Sequence, residues 1–256
     1  MVQPVILAAG RGSRLGRAAR GGPKCLVQLG GRSLLDSQRA ALAEAGLPPP
    51  WIVGGHAHQR LQLRRGERLA LNPDWADSGP LASLRCVPAS VLTAGFLLVY
   101  GDCAFHPALP RAVAGARGAF AVGVDLDWHA LWSARFDDVL IDAEALRWGT
   151  GRRLAAIGGR ADAVGGIEGQ FTGLLKVSPT GWRRLRALLD AMPASRARRI
   201  DTTGALAALI EVWHAVHGVP LHGRWVEVDH ARDLALYRAR LRRRVRWSHD
   251  FRWERA

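Results

Sequence analysis

Residues 7–16 read LAAGRGSRLG, directly after the apolar run PVILAA (4–9) and shortly before GGPK (21–24). An apolar run ending in a glycine-rich turn is the signature of a buried strand whose exit loop must bring backbone N–H groups close to a ligand. Two familiar loops of this kind are excluded by spacing. Counted from Gly10 the string is Gly-Arg-Gly-Ser-Arg-Leu, so Leu15 stands where a dinucleotide fingerprint needs glycine or alanine, and no Gly-Lys-Ser/Thr closes a P-loop. Lys24 adds to the puzzle. Of 36 basic residues only Lys24 and Lys176 are lysines, and a compact ammonium does a different job from a planar guanidinium.

Working outward, WIVGG (51–55), AGFLLVYGD (94–102) and GAFAVGVDL (118–126) read as further buried strands. SLLDSQRAALAEAG (33–46), with Ser33 as cap, and LPRAVAGA (109–116) read as the helices between them. In the second half GRRLAAIGG (151–159) and QFTGLLKVS (170–178) read as strands, and PTGWRRLRALLDAM (179–192) and DTTGALAALIEVWHAV (201–216) as helices. RWVEVDHARDLALYRARL (224–241) reads as a short strand running into a helix. Alternation of this kind predicts an α/β fold: one Rossmann-like domain over 1–256, with a mostly parallel mixed sheet flanked by helices. Within it, 1–106 is the nucleotide-binding half, 107–241 the acceptor-binding half and 242–256 a basic tail.

At 256 residues and 48% hydrophobic content the chain can bury a substantial core. No apolar stretch reaches membrane-spanning length and no leader precedes the first loop, so a cytoplasmic protein without membrane attachment is expected. Three widely spaced cysteines fit reduced thiols. A net charge of +14 favours anionic partners without choosing among them.

The full string Leu7, Ala8, Ala9, Gly10, Gly12, Ser13, Arg14, then Pro23 and Lys24, resembles the signature of nucleotidyltransferases that activate sugar phosphates and choline phosphate. The match continues, more patchily, through most of the chain. Segments 52–61, 71–84, 127–146, 167–179 and 227–237 are most similar to the phosphocholine and phosphonate cytidylyltransferase branch. The resemblance implies that Gly10, Gly12 and Ser13 wrap a triphosphate together with Leu7, Ala8, Ala9 and Gly101, that Arg14 meets the leaving phosphates, and that Lys24 reaches the α-phosphate. It also implies CTP as donor and a small phosphate or phosphonate as acceptor. A sugar-1-phosphate nucleotidyltransferase is the alternative within the same chemistry.

Asp102 follows a strongly apolar strand, and Asp229 follows another with Glu227 two residues earlier, on the same side. Two hard carboxylates at strand ends suit Mg²⁺. Acceptor candidates are Glu227, Gln170, Trp75, Trp128, Trp132, Arg135, Arg160 and Asp201, with Thr202 beside the last. Their chemistry points two ways. The tryptophans, with Asp125, Asp127, Asp137 and Asp138, would surround an ammonium, whereas Arg135 and Arg152 would take a carboxylate. Gly79 and Pro80 stand where the branch carries asparagines, and IGGRADA (157–163) lacks its lysines. His56 and His106 read as structural, and Lys176 faces either cleft or solvent. The tail, with Trp247, Phe251 and Trp253 among arginines, suits stacking on nucleic acid, but that leaves the first loop unexplained. Its ordinary interpretation is a solvated segment or a contact with a second copy, which keeps a homodimer open.

Overall fold

The computed structural model describes residues 1–213, 216–242 and 247–253. Its seven-stranded sheet comprises β1 (Gln3–Ala8), β2 (Trp51–Gly54), β3 (Arg68–Leu71), β4 (Phe96–Tyr100), β5 (Phe120–Asp125), β6 (Gln170–Val177) and β7 (Val216–Leu221). The spatial order is β7-β5-β6-β4-β1-β2-β3. Every pairing is parallel except those of β6, which runs antiparallel to both β4 and β5. This is the mostly parallel mixed sheet expected from the alternation.

Because side chains alternate across a strand, each strand feeds two cores. Ile6, Leu97 and Val99 pack on one face with Leu35 and Leu42 of helix Leu34–Glu44 and with Val113 of helix Ala108–Gly115. Val5, Phe96 and Leu98 pack on the other with Trp182, Leu185 and Leu189, which form one stripe of helix Pro179–Ala191. With both faces covered, β4 reads as an unbroken apolar run, and Phe96 to Val99 are all 0% exposed. Ser33 caps the first long helix, its Oγ accepting from Asp36 N at 3.0 Å.

The expected helix over 201–216 overran. Its described part is Thr202–Trp213, and Val216 already begins β7, an edge strand parallel to β5. His217, Gly218 and Pro220 blur the strand pattern, and Pro220 is tolerated because the outer edge needs no donor there.

The expectation of a solvated tail is also corrected. His249 is 0% and Phe251 5% exposed, and Trp247 and Trp253 pack against the core. His249 Nε2 lies 2.8 Å from Asp125 Oδ2, which also accepts from Trp225 Nε1 at 2.9 Å. The tail arginines at 243, 244 and 246 lie outside the described residues. All three cysteines are free, and no described helix is long and apolar enough to cross a membrane.

Candidate active site

The glycine loop leaves β1 at the rim where the parallel strands end. Gly12 has φ +66°, a left-handed conformation that a side chain would strain, and a Cβ there would sit 3.1 Å from Cβ of Lys24. Lys24 N donates to Gly10 O at 3.1 Å, folding the Pro-Lys segment against the loop. Gly101 sits equally close to the first strand: its N donates to Leu7 O at 3.0 Å, and a Cβ would fall 2.4 Å from that oxygen. Asp102 is thereby brought alongside the loop.

The third carboxylate-bearing segment arrives through a small ladder. Strand Cys103–Phe105 pairs antiparallel with Trp225–Glu227, placing Glu227 opposite Cys103, and Val228 N donates to Asp102 O at 3.0 Å. Asp102, Glu227 and Asp229 consequently present oxygens that all lie within 4.8 Å of one another. Lys24 Nζ bridges the cluster, donating to Asp102 Oδ2 at 2.8 Å and Asp229 Oδ1 at 2.6 Å, and Arg14 donates to the same Asp229 oxygen at 3.1 Å.

Electrostatics follow from this crowding. Burial pulls the Lys24 ammonium down, but Asp102 and Asp229 outweigh it and hold the group above the usual lysine range. Burial, with Asp229 beside it, pushes the Glu227 carboxyl well up. For Asp229 burial is overcome by the hydrogen bond from Glu227 and by Lys24 and Arg14, so it stays well below the ordinary carboxylate range. Two adjacent acids pushed in opposite directions is a pattern found at functional sites.

Two adjoining cavities meet at Asp102. The first, about 360 Å³, is lined by Leu7, Ala9, Gly10, Gly79, Gly101 and Trp75 among others. Gly79 is required here, since a Cβ would fall 2.8 Å from the carbonyl oxygens of Arg199 and Ile200. The second, about 320 Å³, holds Arg14, Lys24 and the three carboxylates, and its far wall carries Trp132, Asp142, Glu144, Gln170, Phe171 and Thr203. Asp201 borders both.

The structure therefore brings together Arg14, Lys24, Asp102, Glu227, Asp229, Gln170 and Asp201. Gln170 is 3% exposed and works through the backbone: Nε2 donates to Glu144 O at 2.6 Å, and Oε1 accepts from Glu144 N at 3.1 Å. Asp201 Oδ1 accepts from Gly204 N at 2.7 Å, while Thr202 Oγ1 accepts from Tyr100 Oη at 2.9 Å. Ala8 is packed in the core, and Ser13 is exposed on the loop.

Other expected residues fall elsewhere. Trp75 lines the first cavity, edge-on to His56 at 4.9 Å, rather than the second. Trp128 is 5% exposed and packed edge-on against Trp132 at 6.1 Å, in the core. Arg160 is exposed at the end of strand Leu154–Arg160, outside the cavity lining, and Arg152 is exposed on a turn. Arg135 has a side chain 0% exposed, so it cannot clamp a ligand from the cavity. Lys176 donates to Ala116 O, and His106 Nδ1 accepts from Ala108 N at 3.1 Å. Of the acids expected near an ammonium, Asp125 is bound to His249, Asp127 lies 3.2 Å from His222, Asp138 caps Leu140 N, and Asp137 is exposed.

Two further acids on the wall of the second cavity, Asp142 and Glu144, are not among the residues that the sequence marks out. Strand Glu144–Trp148 pairs with Leu154–Arg160, and its first residue points at the site. The alternation in AEALRW was the available signal. Burial, together with Asp201 and Asp142 and against the Thr203 hydrogen bond, lifts Glu144 to about 7.

Asp102, Glu227 and Asp229 are oxygen donors converging on one cavity, the set a hard divalent cation takes. Residues 4–200 match the family model for the MobA-like NTP transferase domain. The chain belongs to that family. This MobA-like transferase is 28% identical over 245 residues, 90% of its length and 96% of the other's, to the CTP:phosphoglutamine cytidylyltransferase of Campylobacter jejuni. Among solved structures, the inositol-1-phosphate CTP transferase from T. maritima superposes with a TM-score of 0.70 at 18% identity, covering 96% of this chain and 98% of that one. The CTP:phosphocholine cytidylyltransferase from Streptococcus pneumoniae gives 0.69 at 20% identity, covering 94% and 99%. The fold is thus a nucleotidyltransferase fold, the chain is a nucleotidyltransferase, and its resemblance to the cytidylyltransferase branch is borne out.

Proposed function

We propose that the enzyme transfers CMP from CTP to a small acceptor bearing a phosphate or phosphonate, releasing pyrophosphate. The observation that carries this reading is Lys24 at the exit of the glycine loop, its Nζ within 2.8 Å of two carboxylates from separate strand ends. A cation so placed meets a phosphate at the junction of the two cavities. The relatives, each named for CTP chemistry, support cytidine as the base.

In the proposed step an acceptor oxygen attacks the α-phosphorus in line. The bond from that phosphorus to the oxygen bridging to the β-phosphate breaks, and pyrophosphate leaves with the electron pair. The loop amides of Gly10, Gly12 and Ser13 cradle the triphosphate, Arg14 neutralises the leaving group, and Lys24 stabilises charge on the α-phosphate. Asp102, Glu227 and Asp229 are the residues that would hold Mg²⁺, which supplies further positive charge to phosphate oxygens when bound. No protein nucleophile enters. Cys103 lines the cavity, but burial and the neighbouring Asp102 push its thiol well above the ordinary range.

The far wall supports one of the two acceptor chemistries over the other. Asp142, Glu144 and Asp201 beside Trp132 and Phe171 favour an acceptor whose other end is an amine or quaternary ammonium, and the arginines that would have taken a carboxylate are elsewhere. A cytoplasmic enzyme with reduced thiols fits this role.

Pyrophosphate release measured with each nucleoside triphosphate, Mg²⁺ and a panel of acceptors tests the reading. CTP with phosphocholine or aminoethylphosphonate is expected to turn over, and phosphonoformate poorly. Turnover with glucose-1-phosphate alone replaces the acceptor reading, and silence from every pair removes the proposal.

A further inference from the structure

Arg135 is a charged residue of the site that no phosphate or acceptor contact explains. It ends helix Trp128–Arg135, and its side chain is 0% exposed. A lone guanidinium in that position would lose its hydration uncompensated, so the surroundings must answer its charge. Four carboxylates do. Asp229 Oδ2 and Asp233 Oδ1 lie at 3.4 Å, Glu227 Oε2 at 3.6 Å and Asp142 Oδ2 at 3.8 Å. The rings of Trp132 and Phe136, at 5.3 and 4.9 Å from Cζ, hold it between them.

None of these distances reaches the roughly 2.7–2.9 Å of a charge-assisted hydrogen bond, and Nη1 has no hydrogen-bond partner among the described residues. The guanidinium forks loosely onto Asp233, Nε to Oδ1 and Nη2 to Oδ2 at 3.4 Å each, and the same Nη2 reaches Asp229 Oδ2. Asp229 lies between two sets of cations: Oδ1 meets Lys24 and Arg14, and Oδ2 meets Arg135. A third anchor completes the frame, because Asp233 Oδ2 accepts from Asp229 N and His230 N, both at 2.8 Å.

We infer that Arg135 is a positioning residue for the metal-binding carboxylates, fixing from behind the rotation of Asp229 and the approach of Glu227 so that Asp229 Oδ1 faces Asp102. The inference rests on the proposed reading of Asp102, Glu227 and Asp229 as ligands. A cation acting only by its charge repels a divalent ion, so its loss would tighten metal binding, whereas loss of a positioning group loosens it.

Mn²⁺ titrated into the enzyme with CTP, followed by water-proton relaxation enhancement, reads the affinity directly. Arg135→Lys keeps the charge and loses the planar fork, and is expected to weaken Mn²⁺ by about 10–100-fold, the usual effect of losing a group that orients metal ligands. The Mg²⁺ needed for half-maximal pyrophosphate release should rise by the same factor, with the rate recovering at high Mg²⁺. Wild-type Mn²⁺ affinity in folded Arg135→Lys, or tighter binding, overturns the inference even if the urea midpoint falls. Should that variant not fold, Asp233→Asn, which keeps a cap oxygen and removes the charge facing Arg135 Nε, is expected to weaken Mn²⁺ in the same direction, and unchanged affinity overturns the inference. If the wild-type enzyme shows no enhancement at all, the ligand reading fails and this inference falls with it.

Discussion

Lys24 donates to two carboxylates at 2.8 and 2.6 Å and stays protonated because their attraction exceeds its burial penalty. Its charge is thus available across the whole working pH range, and no loss of rate on the alkaline side should trace to it. Replacing Lys24 with alanine is expected to lower kcat/KM by about 10²–10³-fold, as for other single electrostatic donors to a transition state. Asp102→Ala should do at least as much. Circular dichroism should report an unchanged fold in both, because Asp229 keeps Arg14 and Arg135; near-normal pyrophosphate release would remove either residue from the site. Glu144 behaves differently. Held at about 7 chiefly by burial, it is neutral on the acid side and anionic above, so the KM for an amine-bearing acceptor should rise as pH falls through 7. Glu144→Gln should flatten that profile. The same shift has a cost to folding: the native state binds this proton more tightly than the unfolded chain, so Glu144's contribution is full below the ordinary carboxylate range and is lost as pH rises through about 7.

At the scale of elements, the first loop was readable because its constraints are local. A left-handed residue packed 3.1 Å from the Lys24 side chain must be glycine, whatever the rest of the chain does. Gly12→Ala is expected to cost about 1–2 kcal/mol in backbone strain and to push Lys24 off its partners. Urea denaturation should show the first effect and a drop in kcat the second. Asp102 and Asp229 were readable for a related reason, since strands of this sheet open at one rim. What stayed hidden depends on facing. Helix Trp128–Arg135 carries two tryptophans and one arginine, but only its packing turns Trp132 toward the cavity and Trp128 and Arg135 away. Glu144 and Thr203, whose Oγ1 donates to Glu144 Oε1 at 3.2 Å, come from segments 59 residues apart. No spacing rule connects them. β7 was lost because a glycine and a proline inside an edge strand look like a turn.

Across the whole molecule, the C-terminal segment is a strut. Its arginines drew attention, but its apolar and histidine side chains fix it. His249 closes a buried network with Asp125, whose carboxylate also takes Gly223 N at 2.8 Å, and Arg224 N donates to Ser248 O at 2.8 Å. Breaking a buried pair of this kind costs about 3–5 kcal/mol, so His249→Ala should lower stability by roughly 3 kcal/mol in urea denaturation and expose 247–253 to proteases. For Asp125, burial is outweighed by the His249 hydrogen bond and charge, which hold it below the usual range. Its stabilising effect is therefore present at neutral pH and lost as pH falls through that lowered value.

The reversed strand β6 carries a further consequence. Because it descends between two ascending neighbours, its first residue, Gln170, rather than its last, stands at the rim that carries the candidate site. The stretch from 127 to 169 thus departs from the rim after β5 and comes home to the same rim, a closed detour carrying Trp132, Asp142 and Glu144. Such a detour can be lengthened, shortened or exchanged without re-threading the sheet or disturbing the glycine loop, provided that Arg135 stays behind Asp229. Descendants of this architecture can remodel that wall while keeping the glycine loop and the carboxylates at strand ends unchanged.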